Sequence, residues 1–440
     1  MGANLHKEPG KKSGSFLRRF PNLIVGLALT GISLGFLLRW EPAPCDVITA
    51  IALVTGVSFL KEGWRRLPRL LVVFLIAFIL ANMAGLVGIL AFSSGLRFFS
   101  ITLYLILFMV FINGLGSAHE TFGELARRAY MFAAVVAAGL IWFAFLGLAF
   151  DNPEGVVWAT RFLRPTGLFK DPNVAGSFLV APLIFITCFI LSPPSTRGSG
   201  SCYSYLLYLF LLSALLHTAS RSAILAWGLG YITVLGFVRG KLLHKLQHLC
   251  ATAGFLVLVA PFLYFSNSLT LTLGERVLPH MACVGTFIDR VGGCTAERLP
   301  AEQPSLLFEY DTGGRLYAWQ AALRMWESRP LLGVGPGNFE VLSPGIERSL
   351  GARVITPSAH NTYLRILAEN GIIGIMAFIA ALVVTLVSAL RTRRAREEPW
   401  LVVSFLALLL NGMFIDSLHF RHFWLIWALL LLSTRDSTSK

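Results

Sequence analysis

Arginine recurs in this chain in short segments that also carry other groups able to handle an anion. Thr160-Arg161-Phe162-Leu163-Arg164-Pro165 runs on through Gly167-Leu168-Phe169-Lys170-Asp171-Pro172-Asn173. Arg221 lies in Ser220-Arg221-Ser222, and Arg315 follows Gly313-Gly314 to open Arg315-Leu316-Tyr317-Ala318-Trp319. Guanidinium groups hold phosphate through two parallel hydrogen bonds and stay charged when partly desolvated, so a diphosphate is a natural partner. Arg221 stands where a helix would begin, and helix N-termini add unpaired N–H groups and a partial positive charge. A second constellation is Ser358-Ala359-His360-Asn361-Thr362-Tyr363-Leu364-Arg365, leading to Glu369-Asn370-Gly371-Ile372-Ile373-Gly374. A neutral imidazole at His360 can accept a proton near neutral pH. Each group also has a plainer use: arginines snorkel to headgroups or pair with Asp151, Glu154 and Asp171, and a histidine there can cap a helix.

Other chemistry is thin. The sequence has no P-loop, CxxC pair, HExxH or closely spaced Asp pair. His419, Arg421 and His422 stand near Asp416, but no outer carboxylate pair accompanies them, so no metal site is expected.

The elements that must position these residues are membrane helices. Of 440 residues, 55% are hydrophobic and only 14% charged, and the mean hydropathy is +0.70. A soluble domain carries roughly 25% charged residues, so the solvent for most of this chain is lipid. A span needs roughly 20 apolar residues. Candidate spans centre on 22–39, 45–60, 69–93, 97–115, 129–150, 174–192, 203–217, 221–238, 249–266, 371–390, 400–415 and 418–433. The expected fold is therefore all-α: a polytopic integral membrane protein of about 12 transmembrane helices with one large outer loop. The long run 69–93 contains Gly85 and Gly88, which predicts a tilt or kink. The basic start, with Lys7, Lys11, Lys12, Arg18 and Arg19, precedes the apolar run Leu23 to Leu38. Arg39-Trp40-Glu41-Pro42 lacks a small-residue cleavage pattern, so this run reads as an uncleaved first span.

Alternate connections are basic: Lys61/Arg65/Arg66/Arg69, Arg127/Arg128, Arg197, Arg239/Lys241/Lys245 and Arg391/Arg393/Arg394/Arg396. They place both termini in the cytoplasm. The expected division is a basic tail at 1–20, helices 1–9 at 21–266, a large outer loop at 267–361, helices 10–12 at 362–433 and a tail at 434–440. The net charge of +14 is accounted for mostly by orientation signals and anionic headgroups, so nucleic acid is not an expected partner. Arg161, Arg164, Lys170, Arg221 and Arg315 all fall on the outer side, against the charge rule, which implies another task. Cys283 and Cys294 share the outer loop, where an oxidising compartment permits a disulfide contributing about 2–3 kcal/mol.

The stretch Arg315…Trp319…Trp326…Pro330-Leu331-Leu332-Gly333-Val334-Gly335-Pro336-Gly337-Asn338-Phe339, followed by His360-Asn361-Thr362-Tyr363-Leu364…Glu369-Asn370-Gly371…Gly374, resembles the O-antigen ligase and polymerase superfamily. Gly167-Leu168-Phe169-Lys170-Asp171-Pro172-Asn173 and Ser220-Arg221-Ser222-Ala223 are also similar to it. The resemblance covers roughly residues 155–380. It implies an inner-membrane glycosyltransferase with a periplasmic loop, taking a polysaccharide from undecaprenyl diphosphate without nucleotide sugar, metal or other cofactor. It maps diphosphate binding to Arg161, Arg164, Arg221 and Arg315, with Lys170 beside them, and the essential histidine to His360. Asn361, Tyr363 and Glu369 are secondary candidates; Glu369 or Glu340 could substitute as base.

Three acceptors fit the resemblance: lipid A–core oligosaccharide (a ligase), another undecaprenyl-linked chain (a polymerase) or a protein hydroxyl. One large outer loop without an appended soluble domain favours the ligase. An anion transporter would instead place ionisable groups near the midplane and show repeats. A purely structural membrane protein leaves the outer arginines unexplained.

Overall fold

The computed structural model describes residues 14–87, 89–149, 160–161, 164–192, 201–238, 241–259, 314–352, 358–392 and 399–434. Cys283, Cys294, Asp151, Glu154 and most of the expected large loop lie outside the described residues. The described chain is mostly helical. Before the one short hairpin come α1 (Gly14–Ser33), α2 (Pro44–Thr55), α3 (Val57–Arg66), α4 (Arg69–Gly85), α5 (Phe92–Ala118) and α6 (Phe122–Ala149). The hairpin pairs β1 (Thr160–Arg161) with β2 (Arg164–Pro165) in antiparallel register. After it come α7 (Pro172–Leu191), α8 (Ser201–His217), α9 (Arg221–Phe237), α10 (Leu242–Val259), α11 (Gly314–Ser328), α12 (Phe339–Ser349), α13 (Thr362–Arg391), α14 (Pro399–Asn411) and α15 (Arg421–Ser433).

Among the described residues, α5, α6, α7, α10 and α13 are long and apolar enough to cross a membrane. The bent pair α2–α3 makes a sixth candidate. The apolar stretch Asn22–Ser33 of α1, and α4, α8, α9, α14 and α15, have fewer than 18 residues, short of a full crossing by the same measure. The predicted span 45–60 is not one straight helix: the chain bends by 83° between α2 and α3. The bend falls at Gly56, where a Cβ would lie 2.7 Å from the Phe111 ring and 2.8 Å from the Ala52 carbonyl. Beyond it α3 lies against α5 at backbone contact; a Cβ on Gly63 would stand 2.0 Å from the Val110 carbonyl. The predicted run 69–93 also divides. α4 stops at Gly85 and α5 begins at Phe92, and Gly335 Cα and the Pro336 ring pack 3.2 Å from where a Gly85 Cβ would be.

α7 lies at the centre of the bundle, packed against α6, α8, α9 and α14, and 83% of its most apolar window is buried. Its start is defined locally. Asp171 is the N-cap and accepts a hydrogen bond from Asn173 N at 2.7 Å, with Pro172 in the first turn. α13 has 30 residues, about 45 Å of helix, which exceeds the roughly 30 Å of hydrocarbon in a bilayer. It breaks at Gly371 (φ 62, ψ −165), where the predicted span 371–390 begins.

Candidate active site

The His360 segment is fixed from below by the chain after α14. Asn361 caps α13, its Oδ1 accepting from Tyr363 N and Leu364 N, both at 3.0 Å. Thr362 N donates to the Gly412 carbonyl at 2.8 Å, and its hydroxyl donates to the Ile415 carbonyl at 3.0 Å. The Tyr363 hydroxyl donates to the Leu409 carbonyl at 2.8 Å. Asn361 and Tyr363 therefore hold the backbone in place. Half-buried His360, just before the cap, has φ 46, a left-handed conformation that costs a non-glycine residue energy.

One turn into α13, Arg365 is buried beneath three carboxylates. It pairs with Asp416, with Glu340 on α12 at 2.8 Å and with Glu369 at 3.3 Å, and its guanidinium lies 4.6 Å from the centre of the Phe98 ring. Burial alone would raise the Asp416 carboxyl, but Arg365 holds it below its usual value. Nearby His419 bonds Thr102 Oγ1 at 3.0 Å, and burial pushes its imidazole down to about 4. Glu369 also accepts from Phe339 N at 3.3 Å, so this candidate base ties α12 to α13.

The segment 330–339 threads through the break in α13. Val334 N and Gly335 N donate to the carbonyls of Ala368 and Glu369, both at 2.9 Å, and Ile372 N donates to the Pro330 carbonyl at 2.9 Å. A Cβ on Gly371 would stand 2.3 Å from the Leu331 carbonyl carbon, and one on Gly333 would stand 2.3 Å from that of Glu369. These glycines allow two backbones to touch. α11, which opens with half-buried Arg315, then packs on α13. Ala318, Ala321, Ala322 and Met325 share a small apolar cluster with Phe339, Ala359 and Ala368. Ala318 is one turn from Arg315 and Ala359 adjoins His360, so the cluster includes a near neighbour in sequence of each.

A separate grouping forms where α7 and α9 begin. Arg164 donates to the Thr218 carbonyl from Nε at 3.0 Å and Nη2 at 2.8 Å, and Nη2 also reaches Asn173 Oδ1 at 3.3 Å. Ser220 Oγ donates to the same Asn173 oxygen at 3.0 Å. The turn before α9 contains Ala219 at φ 49, and Arg221 follows, exposed, in the first turn of α9. Arg161 stands opposite Arg164 in the β-hairpin register. Lys170, of the expected set, pairs with Glu41, as does Arg97. Burial and the charge of Arg421 pull the Lys170 ammonium below its ordinary value. Arg421 itself pairs with both oxygens of Asp46.

These groupings share one end of the bundle. Ser177, in the second turn of α7, bonds His422 at the start of α15 and Asn411 at the end of α14, both at 2.9 Å. Gly412, next to Asn411, receives the bond from Thr362. His419, His422 and Asp416 thus turn to different partners, and among the described residues no three His, Cys, Asp or Glu side chains are grouped to hold a metal ion. Arg97 and Arg365 are absent from the predicted site. Arg97 falls at the edge of a predicted span, and Arg365 ends the His360 constellation without a role assigned to it.

Residues 206–379 match the family model described as O-antigen ligase. This stretch is similar to the O-antigen ligase family. The O-antigen ligase match runs from within α8 to within α13 and includes Arg221, Arg315 and His360, whereas Arg161, Arg164 and Lys170 precede it. No curated protein matches the chain.

Proposed function

We propose that this protein transfers O-antigen polysaccharide from undecaprenyl diphosphate to lipid A–core oligosaccharide at the periplasmic face of the bacterial inner membrane, without metal or ATP. The observation that carries this reading is the apolar cluster that joins the helix of Arg315 to Ala359 beside the strained His360, inside the stretch that matches the O-antigen ligase family model. The acceptor hydroxyl oxygen attacks the anomeric carbon of the donor sugar and inverts it. His360 orients that hydroxyl and takes its proton. The bond from the anomeric carbon to the diphosphate oxygen breaks, and undecaprenyl diphosphate leaves with the electron pair. Arg221 and Arg315, with Arg161 and Arg164 alongside, neutralise the charge that builds on the leaving group, an effect strongest in a water-poor site.

The test is transfer by purified protein from an undecaprenyl-diphosphate polysaccharide to lipid A–core, with chelator present and ATP absent. Long glycolipid ladders that disappear in His360→Ala and Arg315→Ala support the reading. Growth of the undecaprenyl-linked chain in place of the glycolipid would make the protein a polymerase. Full transfer by either variant would remove that residue from the mechanism.

A further inference from the structure

A second set of cations occupies the same end of the bundle and is separate from the Arg164–Thr218 grouping. Arg97 and Lys170 converge on Glu41, Arg421 pairs with Asp46, and the Tyr104 hydroxyl donates to Asp46 at 3.3 Å. Arg39 lies two positions before Glu41. Three cations therefore pair with two carboxylates, which leaves positive charge in excess among these partners. The residues come from the α1–α2 connection, the start of α2, α5, the segment before α7 and the start of α15.

The rim of this set is apolar and open. Trp40, beside Glu41, is 54% exposed, and Leu90, Phe92 and Leu96, just before Arg97, are 79%, 59% and 45% exposed. Cations beside exposed aromatic and aliphatic side chains are the pattern of the membrane–water interface, the depth at which lipid phosphates lie. Arg164, by contrast, is bound to the turn that leads into Arg221. Lys170, six positions further along the same segment, turns to Glu41 instead.

We propose that Arg97, Lys170 and Arg421 receive a phosphate of the phosphorylated glycolipid acceptor, with its acyl chains along Trp40, Leu90, Phe92 and Leu96. This rests on the transferase reading above and deepens it. The donor diphosphate is held at Arg221 and Arg315, the acceptor phosphate at Arg97 and Lys170, and the segment 164–173 lies between. Two anionic lipids then have two cation sites, which keeps them from competing for one.

The experiment uses the full chain in nanodiscs, with lipid A–core bearing its phosphates and the same glycolipid after chemical dephosphorylation. In the wild type, removing the phosphates should raise the acceptor KM about tenfold, the size of one charge-assisted hydrogen bond. Arg97→Gln/Lys170→Gln should erase that difference while the donor KM stays put, and Arg97→Lys should restore part of it. No phosphate preference in the wild type, or a raised donor KM in the double variant, would overturn the proposal. Binding of the phosphorylated glycolipid to the His360→Ala protein is measured in parallel, because it needs no transfer. Binding lost in the double variant supports the site even if the protein proves to elongate undecaprenyl-linked chains. Equal displacement by phosphatidylglycerol would reduce it to a general anionic-lipid site and sink the acceptor assignment.

Discussion

Arg365 lies buried against Asp416, 51 positions further along the chain, and extends the same guanidinium to Glu340 on α12. One side chain thus joins three separate pieces: the helix that follows His360, the connection before α15, and the helical pair that carries Arg315. Among the described residues, the polar bonds that attach α11, α12 and the segment between them to the membrane helices include this group, the backbone bonds at Val334, Gly335 and Ile372, Phe339 N to Glu369, and the Ser94 hydroxyl to the Gly337 carbonyl.

Removing that charge should be costly. Arg365→Gln leaves three carboxylates in a buried site without their cation, a loss on the order of 3–5 kcal/mol. Thermal unfolding in detergent should fall well below the wild type, and Glu340→Gln in the same background should recover part of the loss. An unchanged melting temperature in Arg365→Gln would mean that the cluster does not hold the two parts together.

His360 should be placed against its own stability. Gly at this position relieves the left-handed strain, so His360→Gly is expected to melt at or slightly above the wild type, by at most about 1 kcal/mol. Transfer should nevertheless be lost. His360→Ala keeps the strain and should lie below His360→Gly in melting temperature. The reverse order of the two variants would contradict the strain assignment.

Glycines differ sharply in what they tolerate. Gly371→Ala places a methyl group against the Leu331 backbone at a positive φ and should destabilise by about 1–3 kcal/mol. Gly228→Ala and Gly236→Ala, helical positions in α9 with nothing within 4 Å, should be neutral or mildly stabilising. Equal effects at 371 and 228 would show that the break in α13 is not a packing requirement.

Acid should weaken the fold in two windows. Burial depresses His419 to about 4, so the unfolded chain binds its proton more readily. Its contribution is complete above the ordinary histidine value of about 6.5 and declines as the pH falls toward 4. Asp416, depressed by Arg365, contributes above its ordinary value and loses that contribution only as the pH falls through its lower folded value. His419→Gln should therefore flatten the melting temperature between pH 6.5 and 4 and leave the more acidic loss intact. A pH profile identical to the wild type would remove His419 from this account.

Apolar runs, charge runs and short motifs are properties of neighbouring residues, and these were legible. The membrane class, helix cores near 174–192 and 371–390, and the Arg221, Arg315 and His360 motifs follow from them. Only the tertiary structure decided which charges belong together. Arg421 meets Asp46 across 375 positions, and Lys170 joins Glu41. Glu369 and Tyr363 look like candidate site residues in the sequence, yet the structure uses them to tie α12 and α14 to α13. The bend at Gly56 and the end of α4 at Gly85 likewise depend on neighbours distant in sequence, Phe111 and Gly335 among them. Hydrophobicity accumulates along a helix and is read locally. A buried charge or a close-packed glycine is specified by whatever packing brings against it, and that partner is set by how the helices assemble.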